Sequence, residues 1–389
     1  MTPPPFPRDI AALTGLRYLA AAWVVLFHYT HFTAVPGIEA IPVLGQGYLG
    51  VDFFFVLSGF ILTHVYLPQI QRGAFNYWSF LVKRFARIYP MHLVTLAVFL
   101  LLAVLAQRGL LRADVWLGAD ALEPEQRNAA MRAFVAHLTL IHAWGATSQL
   151  WLNQPSWSIS AEWFAYLLFP IFIVARRHLP GGDGARVVIV AAFFLLLALA
   201  IDKLLHTELT RLTWNVGILR IVPEFMLGMI LYRFGETRSA GARLAPAGFA
   251  ASGAAVVALL TVGATVAKTL APACAALAVL GLAGLVFFAA DAARYRALRF
   301  WSAPLPVYLG EISYSVYMVH LAVGLILFTG LFPMWRPADV PGALLALITG
   351  IALSTLIAMA SYRWIEIPCR RWLVARAAMF TKPEAPHVS

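Results

Sequence analysis

Apolar residues run along this chain in blocks of about twenty, broken by short clusters of Arg, Pro, Gly and Asp. A helix needs roughly 20 residues to cross a hydrocarbon core of about 30 Å. The pattern predicts spanning helices over residues 10–31, 48–67, 85–106, 158–176, 186–204, 214–234, 246–267, 270–290, 305–330 and 341–366. The stretch 131–145, MRAFVAHLTLIHAWG, is too short to span comfortably and reads as a re-entrant or surface helix within 107–157. The expected fold is all-α: a polytopic membrane protein with about ten transmembrane helices around a central channel. Residues 1–376 form one membrane domain in this reading, and 377–389 a disordered cytoplasmic tail.

Composition supports the pattern. Of 389 residues, 61% are hydrophobic and 12% charged, with mean hydropathy +0.78, whereas soluble domains carry about 25% charged residues. The net charge of +11 does not point to nucleic acid, because the basic residues cluster at the ends of apolar segments. Ten helices with a cytoplasmic N-terminus place about twice as many Lys and Arg inside as outside. Lys83, Arg84, Arg87, Arg176 and Arg177 fall inside, and Lys203, Arg211 and Arg220 are counted outside. An eleventh span at 131–145 would reverse every later loop, so both termini are expected in the cytoplasm. The first apolar run is too long for a cleaved signal and reads as a retained helix. Two cysteines, Cys274 and Cys369, suggest neither a disulfide framework nor a metal cluster. GxSxG, HExxH and GxxxxGK[ST] are all absent.

Charge inside a spanning helix costs several kcal/mol and normally faces a cavity or a partner. Arg17 and His28 lie 11 residues apart in the first helix, near three turns, and so share one face about 16 Å apart along the axis. A lone intramembrane histidine is commonly a packing residue; its alignment with Arg17 argues for more. In GVDFFFVLSGFIL, Asp52 needs a partner, while Ser58-Gly59 reads as a packing point. Arg84 and Arg87 share a face at the inner surface, serving either as a topology and lipid-headgroup signal or as an anion clamp. Glu162 follows Trp157, Ser158 and Ser160 into the fourth helix, where the serines can cap the helix and the Glu can line a pocket. Ser313, Tyr317 and His320 fall at helical spacing in LGEISYSVYMVH, and Glu366 closes the last span.

Taken together these pieces resemble the acyltransferase-3 family of membrane O-acyltransferases. The resemblance rests on Arg17 with ten residues before His28, GVDFFFVLSGF, RFARIYP, WSISAEW, LGEISYSVYMVH and YRWIEIP, in order over 10–368. It implies an acyltransferase in the bacterial inner membrane, with residues 1–376 as the family domain. Such enzymes take an acyl group, commonly acetyl, from cytoplasmic acyl-CoA to a hydroxyl of a carbohydrate or glycosylated acceptor at the outer face. Acyl-CoA is then a co-substrate, with no permanent cofactor and no metal, and the partners are acyl-CoA, the acceptor and the lipid bilayer.

Carried over, His28 is the essential histidine, as general base or acyl carrier, and Arg17 its motif partner; beside them Glu162 and Asp52 complete the expected catalytic group, one of them orienting the imidazole or the acceptor. Arg84, Arg87 and Tyr89 bind acyl-CoA. Trp157, Ser158, Ser160, Ser313, Tyr317 and His320 line the channel or acceptor site. A transporter or flippase of a polysaccharide precursor or small molecule, with these groups as a relay, is the alternative.

Overall fold

A computed structural model of the protein describes residues 6–7, 9–33, 35, 37–38, 41–110, 127–147, 152–237, 245–266, 270–331 and 339–380. The described residues contain no strand. Each expected span is a helix: α1 (Ala11–Thr30), α2 (Gly50–Gln71) and α3 (Tyr77–Gln107) come first. A short α4 (Arg127–Leu138) leads to the pair α5 (Trp157–Leu167) and α6 (Phe169–His178). Then follow α7 (Asp183–Leu205), α8 (Gly217–Thr237), α9 (Ala245–Thr265) and α10 (Ala271–Ala289). The chain ends in α11 (Pro304–Leu325), α12 (Val340–Ser361) and α13 (Ile367–Phe380).

Eight of the described helices are long and apolar enough to cross a membrane, or nine if the α5–α6 pair is one span bent by 61°. Pro170, in the first turn of α6, accounts for the break, because it has no N–H to continue the helix. The remaining expected span, 214–234, seen as α8, fails on composition: Arg220, Glu224 and Arg233 interrupt it. Arg220 and Glu224 are 1% and 0% exposed, so their charge faces the bundle interior. Arg220 therefore does not belong with the outer loop charges. At 12 residues α4 is too short to span. Residues 377–380 are helical rather than disordered: α13 continues to Phe380 through Ala377, Ala378 and Met379, with no Pro or Gly to end it. The rest of that segment, 381–389, lies outside the described residues.

Glycine contacts at two helix pairs set the architecture. A Cβ on Gly59 of α2 would overlap the Phe225 carbonyl of α8, and one on Gly228 would overlap the Val56 carbonyl of α2. Likewise Gly310 of α11 abuts the Thr14 carbonyl of α1. Without side chains in the way, α2 meets α8 and α1 meets α11 backbone to backbone, as small residues allow between membrane helices. Between them α11 is the central helix, and every residue from Ile312 to Leu325 is buried. The apolar side chains of α7 and α12, such as Val188, Leu196 and Ile348, face outward. Outward apolar faces around a polar centre define an all-α polytopic membrane protein.

Candidate active site

The α1–α11 contact brings together two histidines 292 residues apart. His320 Nε2 lies 3.1 Å from His28 Nδ1, which also lies 2.9 Å from the Val24 carbonyl. His320 Nδ1 donates to the Tyr317 carbonyl at 2.5 Å. Tyr29 Oη donates to the His320 carbonyl at 2.7 Å and pairs with Ser354 Oγ of α12 at 2.6 Å, so the residue is held from both sides. His320 is fully buried, whereas half-buried His28 opens into a cavity of about 250 Å³ that it shares with His31, Tyr48, Trp157, Arg220 and Tyr317.

A second cavity, of about 70 Å³, adjoins the first at Val51 and Tyr317. Its polar lining is Arg17, Ser158, Glu162, Ser313 and two tyrosines, Tyr314 and Tyr317. The third, of about 130 Å³, shares Arg17, Phe54, Glu162 and Tyr314 with the second and reaches Arg84 and Arg87. The three form a chain of cavities through the bundle, from the arginines of α3 to His28.

Charge along this path is unevenly compensated. Arg87 is ion-paired with Glu366, which is 0% exposed and also accepts from Ser315 Oγ at 2.8 Å. The π-helical turn Tyr362–Glu366 between α12 and α13 turns this carboxylate inward. Glu162 accepts from Ser58 Oγ at 2.9 Å and from Tyr166 Oη. Arg17 and Arg84 have no ion-pair partner among the described residues, although Glu162 lies within electrostatic reach of Arg17. Arg84 sits 5.9 Å from the Tyr66 ring centre. Two guanidiniums, Arg17 and Arg84, thus share one carboxylate, Glu162, beside a cavity, an arrangement suited to an anion.

Not every expected residue joins this path. Asp52 forms a bidentate pair with Arg220, one contact being 2.8 Å, and the guanidinium lies 5.0 Å from the Trp157 ring centre. Among the described residues neither Asp52 nor Glu162 hydrogen-bonds His28; His320 occupies that position instead. Ser160 is structural: it accepts from the Ala143 N–H at 3.0 Å and donates to the Leu140 carbonyl at 2.7 Å, fixing the turn after α4. Tyr89 lies off the face of Arg84 and Arg87, donating to the Leu138 carbonyl at 2.9 Å and stacking on Phe85. Ser158 reaches the Tyr317 hydroxyl at 2.9 Å, at the junction of two cavities.

Arg220, Glu224 and the Arg87–Glu366 pairing escaped the sequence reading. Arg220-x-x-x-Glu224 inside an apolar run carries the same signal as Arg17 and was legible there. A further buried group, His92, His137 and His142, stacks within 6.2 Å and secures α4 against α3. Burial lowers the His137 imidazole to about 4, which keeps that ring neutral. Among the described residues no group of three His, Cys, Asp or Glu side chains is arranged to hold a metal ion.

A buried cation, a paired histidine and a chain of cavities suit an enzyme or a transporter alike, and sequence relatives decide between them. Residues 10–363 match the acyltransferase-3 family model, described as an acyltransferase domain; the chain belongs to this family and is a membrane acyltransferase. It is 29% identical to the acyltransferase MdmB of Streptomyces mycarofaciens, over 98% of this chain and 97% of that one. It is 26% identical to the peptidoglycan O-acetyltransferase OatA of Listeria monocytogenes over 43% of this chain, and the match spans 24% of that protein. For O-acetyltransferase OatA of Staphylococcus aureus the figures are 25% identity, 44% of this chain and 26% of that protein. No solved structure matches the chain.

Proposed function

We propose that the protein moves an acyl group, acetyl in the simplest case, from cytoplasmic acyl-CoA to a hydroxyl of a carbohydrate or glycosylated acceptor at the outer face. The observation carrying this reading is the chain of cavities joining Arg84 to His28. Phosphates of the donor engage Arg84 at the inner end, and the pantetheine arm follows the path past Arg17 and Glu162. The acceptor enters the larger cavity, where aromatic and hydroxyl side chains such as Tyr48, Trp157 and Thr210 suit a sugar. Peptidoglycan as the acceptor of one relative supports a carbohydrate here.

His28 takes the hydroxyl proton as the new C–O bond forms. The thioester C–S bond breaks, and the departing thiolate takes up the proton to give free thiol. Purified protein given acetyl-CoA and a sugar acceptor should release free thiol and yield acylated sugar. A protein that moves an acceptor across vesicles without consuming the thioester would instead be a flippase.

Sidedness has its own test. The loop bearing Thr210 and Arg211 borders the His28 cavity and is outside in this reading. With Cys274 and Cys369 removed, His206→Cys should react with an impermeant thiol reagent in intact cells, and Gln71→Cys should not. The reverse labelling pattern would invert the topology.

A further inference from the structure

We infer that His320 is the positioning residue of the transfer base, holding His28 in the tautomer whose Nε2 is free to accept a proton. This rests on the reading of His28 as base. A carbonyl oxygen only accepts, so the 2.5 Å contact to the Tyr317 carbonyl requires the proton of neutral His320 to sit on Nδ1. Its Nε2 is then a bare acceptor. His28 Nδ1 faces two acceptors, this Nε2 at 3.1 Å and the Val24 carbonyl at 2.9 Å, and must itself be the N–H. The remaining nitrogen of His28, Nε2, therefore carries the lone pair, and His28 lines the cavity proposed for the acceptor.

The same contact acts during transfer. When Nε2 takes the acceptor proton, His28 becomes an imidazolium whose Nδ1–H points at the His320 lone pair. A hydrogen bond to a charged donor is stronger than one between neutral groups. His320 thus supports the charge that develops on the base, a part that a carboxylate plays in the familiar Ser-His-Asp arrangement. No carboxylate among the described residues hydrogen-bonds His28. Other titratable or charged groups around the pair are His31 just after α1, Tyr317 on α11, Tyr29 bonded to α12, and Arg220 of α8 with Tyr48 and Arg211 across the cavity.

Burial of His320 makes loss of folding a real outcome of substitution, so the test has two arms. In wild-type protein labelled with nitrogen-15 at histidine, with His28→Gln to assign the signal, the shifts of His28 should show a protonated Nδ1 and a bare Nε2. The opposite tautomer overturns the inference whatever the activity. In the second arm, thiol release is followed against pH and normalised to protein level. His320→Leu, which offers no acceptor, should lower turnover by about 10²-fold and move the acid-side midpoint down by about one pH unit, since His28 becomes a weaker base. His320→Gln places an amide oxygen near the lost Nε2 and should recover most of both. A folded leucine variant with the wild-type midpoint, or a glutamine variant no better than leucine, contradicts the inference. Absence of thiol release from wild type would fail the transfer reading alone, because the tautomer is read without turnover.

Discussion

Alanine at His28 should lower acyl transfer by about 10²–10⁴-fold, the usual contribution of a general base, while the protein still inserts and accumulates. The imidazole is half-buried, and its ring bonds are to the Val24 carbonyl within its own helix and to His320. Removing it opens space in an existing cavity and leaves no charge unpaired. The stability change should therefore fall within the common range of about 0.5–3 kcal/mol. Transfer to acceptor, or free thiol release, normalised to membrane protein level is the measurement. Near wild-type turnover in His28→Ala would sink the base role even though the family assignment stands. A labelled acyl group retained on wild-type protein without acceptor, and missing from His28→Ala, would make His28 a covalent carrier instead.

Legibility in the sequence followed the range of the interaction. The helices were readable because each apolar block is local, and the 11-residue step from Arg17 to His28 marked a polar stripe from one helix alone. The partners were not readable. Asp52 announced that it needed a cation and Arg220 that it needed an anion, but they lie 168 residues apart and nothing local joins the two. His320 stood on a recognised face with Ser313 and Tyr317, yet nothing local says that this face meets the last turns of α1. That meeting follows from glycine contacts such as Gly310 on Thr14. Ser160 and Tyr89 went the other way: both sit in motifs with functional neighbours, but helix rotation turns them toward the backbone at and just after the end of α4. Motif membership marks a neighbourhood, and the helical phase decides which side chains enter it.

Arg84 and Arg87 look equivalent in the sequence, and the structure predicts opposite results for them. Arg87→Ala strips the ion partner from Glu366, which is 0% exposed. Leaving one member of a buried pair uncompensated costs about 3–5 kcal/mol, enough to deplete the protein from the membrane. Adding Glu366→Gln removes the orphaned charge while keeping an acceptor for Ser315 Oγ, and should restore accumulation. Arg84 is half-buried and has no ion partner among the described residues, so Arg84→Ala strands no charge and should accumulate normally. Its loss should appear in ligand binding: a charge-assisted hydrogen bond is worth about 1.5–3 kcal/mol, or roughly 10-fold to 100-fold in acyl-CoA affinity. Titrating acyl-CoA onto purified protein, alongside abundance and thermal unfolding for each variant, separates the two effects. Unchanged affinity in Arg84→Ala would leave that residue a topology signal. A well-folded Arg87→Ala single variant would mean that Glu366 is neutral without its partner, and that the pair is not what holds α3 to the end of the bundle.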